Sequence, residues 1–190
     1  LTGTNWRSFP ANVLTQTDLD YLDGHAYFYD WRWGEFEKHC ENKSITQSDN
    51  SWLSPMLPNK VCGMPFILSE WDMPWPNAYR AESPIYCAAV SLLQGWSGCA
   101  IHTYAYTTLL HHDNILGKEV SSQKIGGTPY REGIFSTWND PAKFGLFYHA
   151  ALMMRRGDIK RSEKTHILRP IDLTEWNKPA LGLSAEVSEV

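Results

Sequence analysis

Short apolar runs separated by polar stretches form the main pattern of this chain, and four of the runs are predicted as β-strands. The clearest run is Phe66–Leu68, which follows Pro65 and is followed by Ser69, Glu70 and Trp71. A short apolar run of this kind is typical of a buried strand in a parallel sheet. Glu70 is therefore predicted at the C-terminal end of its strand, because a carboxylate in the middle would be a buried, unpaired charge. The predicted strands are Leu1–Trp6, Asp20–Tyr29, Pro65–Trp71 and Gly98–Tyr106.

Two segments carry apolar residues at the three- and four-residue spacing of an amphipathic helix. The first is predicted to begin at Ser83 and to end at Gly95, and the second to begin at Asp140 and to end at Gly157. Ser and Asp favour helix N-caps, and Gly favours the residue after a helix. The predicted inward-facing residues are Ile85, Ala88, Ala89, Leu92 and Leu93 in the first helix, and Phe144, Phe147, Ala150, Ala151 and Met154 in the second.

Two long polar excursions interrupt this pattern, one from Asp30 to Lys60 and one from Leu109 to Asn139. Long excursions in compact domains are usually lids or walls of functional sites. After Asp158 we predict one further strand, Thr165–Leu168, and otherwise irregular structure.

Strands that alternate with helices or long excursions predict an α/β fold with a parallel sheet. Polar and aromatic side chains recur at the ends of the predicted strands, which favours a (β/α)8 barrel over a doubly wound sheet. A complete barrel needs about 250 residues, so we expect the C-terminal half of a TIM barrel, about strands five to eight, in residues 1–158. Residues 159–190 are expected to form a post-barrel segment, the start of a small β-type unit.

Composition narrows the class of protein. The chain is 43% hydrophobic and 20% charged, as in globular proteins, and 13% of its residues are aromatic. Its net charge of -4 and the lack of a Lys/Arg run argue against nucleic-acid binding, and no apolar run has membrane-spanning length. The four cysteines show no C-x-x-C spacing, so we expect no metal, no cofactor and no required disulfide.

The chain opens with Leu1 and enters strand-like sequence at once. We therefore expect that its natural start is missing. The absence of a signal peptide then leaves the compartment open.

Five short motifs together resemble a known family. Their order and spacing are similar to the C-terminal half of retaining glycoside hydrolases of clan A, the group that holds many cellulases, mannanases and β-galactosidases. The resemblance spans most of residues 1–158, and only the set of motifs is specific. The motifs are Thr2–Trp6, Asp23–Tyr27, Phe66–Trp71, Gln94–Gly98 and Asp140–Lys143.

The resemblance implies roles for residues at the matching positions. Glu70 corresponds to the nucleophile that ends barrel strand seven, and Tyr27 to a tyrosine that hydrogen-bonds the nucleophile. Such an enzyme hydrolyses the glycosidic bonds of β-linked oligo- or polysaccharides by retaining double displacement. Taken singly, Tyr27 and His25 also fit structural core roles. The expected substrate-binding residues are Asn5, Trp6, His25, Trp71, Trp75, Tyr104 and Tyr106.

One departure from the family limits this reading. The acid/base of the clan is a glutamate in an Asn-Glu pair, and no Asn-Glu dipeptide occurs in this sequence. We therefore expect that a missing N-terminal half-barrel of the same parent chain carried the acid/base, and that this fragment alone is inactive. Two alternatives are a non-catalytic carbohydrate-binding module and a metal hydrolase that uses His111, His112 and Asp113, whose spacing fits no standard ligand set.

Overall fold

The fold is known from a computed structural model, which describes residues 1–3, 5, 10–28, 42–47, 52–105, 135–138, 140–170 and 185–189. Three α-helices lie in this part of the chain: α1 (Pro10–Leu14), α2 (Glu82–Gln94) and α3 (Pro141–Arg156). A 3₁₀ helix spans Ser54–Asn59. The strands are β1 (Leu22–Tyr27), β2 (Phe66–Asp72), β3 (Gly98–Ile101), β4 (His166–Pro170) and β5 (Ala185–Glu189).

The first three strands form a parallel sheet in the order β1-β2-β3. These strands coincide with three of the four predicted segments, except that β2 continues one residue further, to Asp72, and the parallel pairing that the sequence predicts is confirmed for them. β4 and β5 pair with each other in an antiparallel sheet. The half-barrel stays a prediction, since three strands are common to many α/β folds.

One face of the parallel sheet carries the apolar core. Leu22, Phe66, Leu68 and Trp71 from the strands pack there with Cys87 of α2. Phe147 of α3 lies against the same cluster. Helices therefore cover this face, as the crossover connections of a parallel sheet require.

Gly24 of β1 lies where the 3₁₀ helix crosses the strand. A Cβ atom at this position would come 2.9 Å from the Met56 sulfur. Because side chains do not approach each other so closely, glycine allows the 3₁₀ helix to pack directly on the sheet.

The buried face of α2 differs from the predicted one. Ser83, Pro84, Cys87, Ala88 and Ser91 are buried, whereas Leu93 is 42% exposed and Ile85, Ala89 and Leu92 are only half-buried. Of the predicted inward-facing residues, only Ala88 is right. Small side chains bring the α2 backbone close to its neighbours, so its larger aliphatic residues turn towards the rim.

The start of α2 also differs from the prediction, because the helix begins at Glu82 after Ala81 and makes no side-chain cap. The Ser83 hydroxyl instead donates to the Arg80 carbonyl oxygen at 2.8 Å. The predicted end is confirmed, since Gly95 has φ 63° and its N–H donates to the Leu92 carbonyl.

Both predicted ends of α3 are confirmed. The Asp140 side chain accepts a hydrogen bond from the Ala142 N–H at 3.2 Å, and Gly157 ends the helix with φ 65°. The predicted inward face is only partly right, because Ala150 is buried while Phe144 is 49% exposed. Ala151 is exposed as well. Lys143 turns inward instead, which rotates its neighbour Phe144 towards solvent.

Three strand predictions need correction. Residues 1–3 and 5 do not form the predicted first strand, and β3 ends at Ile101, so His102–Ala105 are not strand residues. The segment after Leu168 is not wholly irregular, because β5 pairs with β4. Among the described residues, no helix has the length and apolar character needed to cross a bilayer.

Candidate active site

An irregularity in β2 decides where the Glu70 side chain points. Gly24 pairs with Leu68, but the next residue of β1, His25, pairs with Glu70, so Ser69 is an extra residue in β2. A bulge of this kind reverses the alternation of faces along a strand. Glu70 consequently leaves the face of Phe66 and Leu68 and joins the face of His25.

That second face of the sheet is polar. Along β1, Asp23, His25 and Tyr27 are half-buried and alternate with the buried Leu22, Gly24 and Ala26. The Glu70 carboxylate is 33% exposed on this face. The sheet therefore has one apolar face against helices and one face that presents titratable groups.

Glu70 Oε2 is held by two residues of β1. The Tyr27 hydroxyl donates a hydrogen bond to it at 2.5 Å. His25 Nδ1 lies 3.1 Å from the same oxygen, and the His25 side chain is 14% exposed. Hydrogen bonds to an ionised carboxylate are short and strong. The Tyr27 hydroxyl therefore orients the carboxylate, His25 lies close to the same oxygen, and the other oxygen contacts neither residue.

His102 lies on the opposite side of the carboxylate and had not been predicted as a site residue. Its Nδ1 is 3.9 Å from Glu70 Oε1, beyond hydrogen-bond distance. The imidazole stands edge-on to the Tyr27 ring and packs against Phe135. The sequence did carry a signal, since His102 shares a strand face with Tyr104 and Tyr106 in the predicted strand Gly98–Tyr106.

Two ion pairs, one fully buried and one partly buried, lie near the C-terminal end of β2. Lys143 Nζ is 2.9 Å from both carboxylate oxygens of Asp72, and both side chains are fully buried. Arg80 Nε donates to Asp140 Oδ2 at 2.6 Å, and the Asp140 side chain is fully buried. Burial raises the pKa of Asp72 to about 7, and the Lys143 ammonium opposes part of this rise.

The predicted substrate-binding residues fall into several groups. His25 contacts Glu70, as described above. Asn5 Nδ2 lies 3.5 Å from Asp23 Oδ2, a contact at the N-terminal half of β1. Tyr104 is 52% exposed with its ring 6.3 Å from that of Phe144, and Trp75 is half-buried in the loop after β2. Trp6 and Tyr106 lie outside the described residues.

Trp71 requires a correction, because its side chain is not available for stacking on a sugar. It is 2% exposed and lies in the apolar core, with its ring stacked on Phe147 at 6.4 Å. The alternation of β2 explains this position. Glu70 points to the polar face, so the next residue points to the helix-covered face.

Among the residues that the structure describes, no three His, Cys, Asp and Glu side chains form a group that could hold a metal ion. His111, His112 and Asp113 lie outside these residues. The metal-hydrolase alternative therefore stays a prediction.

Comparisons with known proteins give no family for this chain. No protein-family model, no curated protein and no solved structure matches it significantly. Its function has to be argued from the site itself.

Proposed function

We propose that this chain is the nucleophile-bearing part of a retaining glycoside hydrolase that acts on a β-linked oligo- or polysaccharide. One observation carries the proposal: Glu70, at the C-terminal end of a parallel strand, accepts a 2.5 Å hydrogen bond from Tyr27. Active sites of (β/α)8 enzymes lie at this end of the strands. A carboxylate that is partly exposed yet firmly oriented has the properties of a nucleophile.

Each contact of Glu70 has a distinct part in the proposed reaction. Oε2 accepts the Tyr27 hydrogen bond and lies beside His25, so Oε1 is the oxygen that we assign to attack on the anomeric carbon. The attack forms a glycosyl ester and breaks the glycosidic bond, and water then hydrolyses the ester. His102, 35% exposed beside Oε1, would contact the sugar at the reacting centre.

The leaving group needs a proton from a second carboxyl group about 5–5.5 Å from the nucleophile. Asp72 does not fit this role, because its side chain is fully buried and binds Lys143. We therefore assign the acid/base to a longer parent polypeptide, whose upstream half would supply the Asn-Glu glutamate that this sequence lacks.

Covalent trapping tests the assignment of Glu70. A 2,4-dinitrophenyl 2-deoxy-2-fluoro-β-glycoside has a leaving group that needs no acid, and it stalls a retaining enzyme at the glycosyl ester. We expect one of the glucoside, galactoside, mannoside, xyloside and cellobioside forms to add one sugar mass to the peptide that contains Glu70. The measurement is mass spectrometry on the parent polypeptide and on residues 1–190 alone.

Two variants complete this test. Glu70→Gln preserves the shape of the side chain but cannot attack, so it should abolish trapping. Glu163→Gln, which removes an exposed carboxylate elsewhere, should leave trapping unchanged. If no probe labels the parent polypeptide, or if the label lies on another residue, the proposed function is wrong.

A non-catalytic carbohydrate-binding module is the second candidate. The exposed rings of Tyr104, Phe144 and Tyr148 favour it, because exposed aromatic rings can stack on sugars without any chemistry. Sugar binding without release of dinitrophenol from the unmodified aryl glycosides would support this candidate over the enzyme.

A further inference from the structure

The loop that follows the Glu70 strand, Met73–Ala81, is tied at both ends to the first turn of α3. At its start, Asp72 binds Lys143 through both carboxylate oxygens. At its end, Arg80 binds Asp140. Asp140 is also the N-cap of α3, so one helical turn holds the whole loop.

The Asp72–Lys143 pair joins β2 to α3 at a large cost in desolvation free energy. Two charges lose their hydration when they are fully buried, and apolar residues of similar volume are often at least as stable in such positions. The pair is therefore weak evidence for a role in stability. In some proteins, buried polar or ionic groups that stabilise little serve to select one arrangement of the elements that they join.

Asp72 lies where the ends of the three parallel strands meet. Its carbonyl oxygen accepts the Phe28 N–H at 2.9 Å, and its register partner is Tyr27. The preceding carbonyl oxygen, that of Trp71, accepts the His102 N–H at 3.0 Å. A displacement of Asp72 would therefore move the backbone on both sides of the Glu70 carboxylate.

We propose that Lys143 and Asp140 are positioning residues for the candidate active site, an inference that rests on the proposed function. Lys143 fixes the strand ends that carry Glu70, Tyr27 and His102 through its pair with Asp72. Asp140 fixes the loop that carries Trp75 through its pair with Arg80. The first pair thus acts on the reacting group, and the second on the wall of the sugar site.

The two roles predict different kinetic effects. Displacement of a reacting group by about 1 Å costs about 100-fold in rate, so loss of the Asp72–Lys143 pair should lower the rate of trapping at saturating probe by about 10- to 100-fold. Loss of the Arg80–Asp140 pair should mainly raise the half-saturating probe concentration, because that pair does not adjoin Glu70.

The experiment uses the 2-deoxy-2-fluoro probe that labels the parent polypeptide. Asp72→Leu with Lys143→Met removes the first pair and leaves no uncompensated buried charge. Arg80→Met with Asp140→Asn removes the second pair and keeps a residue that caps helices well. Arg156→Met with Asp158→Asn is the control, since that pair is exposed near the far end of α3. Rates are measured only on variants whose melting temperature stays close to that of the parent.

The inference is overturned, and the proposed function left standing, if the Asp72→Leu/Lys143→Met variant folds and is trapped at the parental rate. Should this variant fail to fold, Lys143→Arg keeps the charge but changes its geometry, and an unchanged saturating rate in that variant overturns the inference as well. If the parent itself is not labelled, the proposed function and this inference are both wrong.

Discussion

At the scale of single residues, the candidate site depends on the contacts around one carboxylate. Tyr27 donates a hydrogen bond to one oxygen of Glu70 and His25 of the same strand lies beside that oxygen, while His102, just after β3, lies nearest the other oxygen. Glu70 is thus oriented by a tyrosine hydroxyl and flanked by two imidazoles, and it lies next to no other carboxylate among the contacts that the structure shows.

The hydroxyl of Tyr27 can be removed without altering the ring. Tyr27→Phe should lower the saturating rate of trapping at Glu70 by about 10- to 100-fold, because a hydrogen bond to a charged group contributes about 1.5–3 kcal/mol. Tyr148→Phe, which changes a tyrosine that is 66% exposed on α3, is the matched control and should have no effect. A parental rate in Tyr27→Phe would show that this hydrogen bond has no part in the reaction.

The cysteines give a prediction that is independent of function. Burial raises the pKa of the Cys87 thiol well above its ordinary value, whereas Cys62 is exposed. Only the thiolate reacts with alkylating reagents. In the folded chain at pH 8, iodoacetamide should modify Cys62 rapidly and spare Cys87, and urea should remove the difference. Peptide mapping by mass spectrometry measures both sites, and equal labelling without urea would contradict the buried position of Cys87.

The sequence predicted that Glu70 ends a strand, but it could not predict the face that Glu70 occupies. Strict alternation from Phe66 and Leu68 would have placed the carboxylate in the apolar core. The bulge at Ser69 reverses the alternation of side chains between the two faces of β2, and no residue pattern in β2 predicts a bulge at that position. The same bulge explains why Trp71 is a core residue instead of a sugar-stacking residue.

At the scale of elements, helix boundaries were predicted better than helix orientation. The capping chemistry of Asp140, Gly95 and Gly157 is local and can be read directly from the sequence. The buried face depends on what the helix meets. α2 buries serine, cysteine and alanine, because these small side chains allow it to pack close to its neighbours. α3 buries Lys143, because Asp72 is its counter-ion.

The orientation of α2 has a measurable consequence for stability. Ala88 is 1% exposed, so Ala88→Leu should overpack the interface and lower the free energy of unfolding by about 1–3 kcal/mol. Leu93, 42% exposed on the same helix, is the matched control. Leu93→Ala should change the free energy of unfolding by no more than about 0.5 kcal/mol. Urea unfolding of the parent polypeptide, followed by circular dichroism, gives both values. If Leu93→Ala lowered the free energy of unfolding more than Ala88→Leu does, Leu93 would be a buried residue, as its spacing in the sequence predicted.

At the scale of the whole molecule, the sequence predicted the parallel sheet but not the charges that join it to α3. Alternating strands and helices follow from periodicity, which is a local property. The pairing of Asp72 with Lys143 spans 71 residues and depends on how β2 and α3 pack together. Asp140 was recognised as a helix cap and Lys143 only as part of a motif, and the pairing of these residues with Arg80 and Asp72 is visible only in three dimensions.

The half-barrel proposal also makes a prediction about the isolated chain. Among the described residues, β1 and β3 each pair with β2 alone, and helices cover one face of this sheet. Ala100 on the other face is exposed. Parallel sheets are normally covered on both faces, and unpaired edges promote association. We therefore expect residues 1–190 alone to associate or to remain partly unfolded, and not to hydrolyse natural β-linked oligosaccharides.

Sedimentation velocity over a range of concentrations tests this prediction, with hydrolysis measured on the same samples. Addition of the upstream half of the parent polypeptide as a separate chain should shift the distribution towards a one-to-one complex and restore hydrolysis, because it would cover the open edges and supply the missing acid. An unrelated protein of similar size is the control and should do neither. A monodisperse monomer of residues 1–190 that turns over natural substrates would refute the half-barrel proposal. The proton donor would then have to belong to this chain, and the burial of Asp72 against Lys143 excludes that carboxyl group.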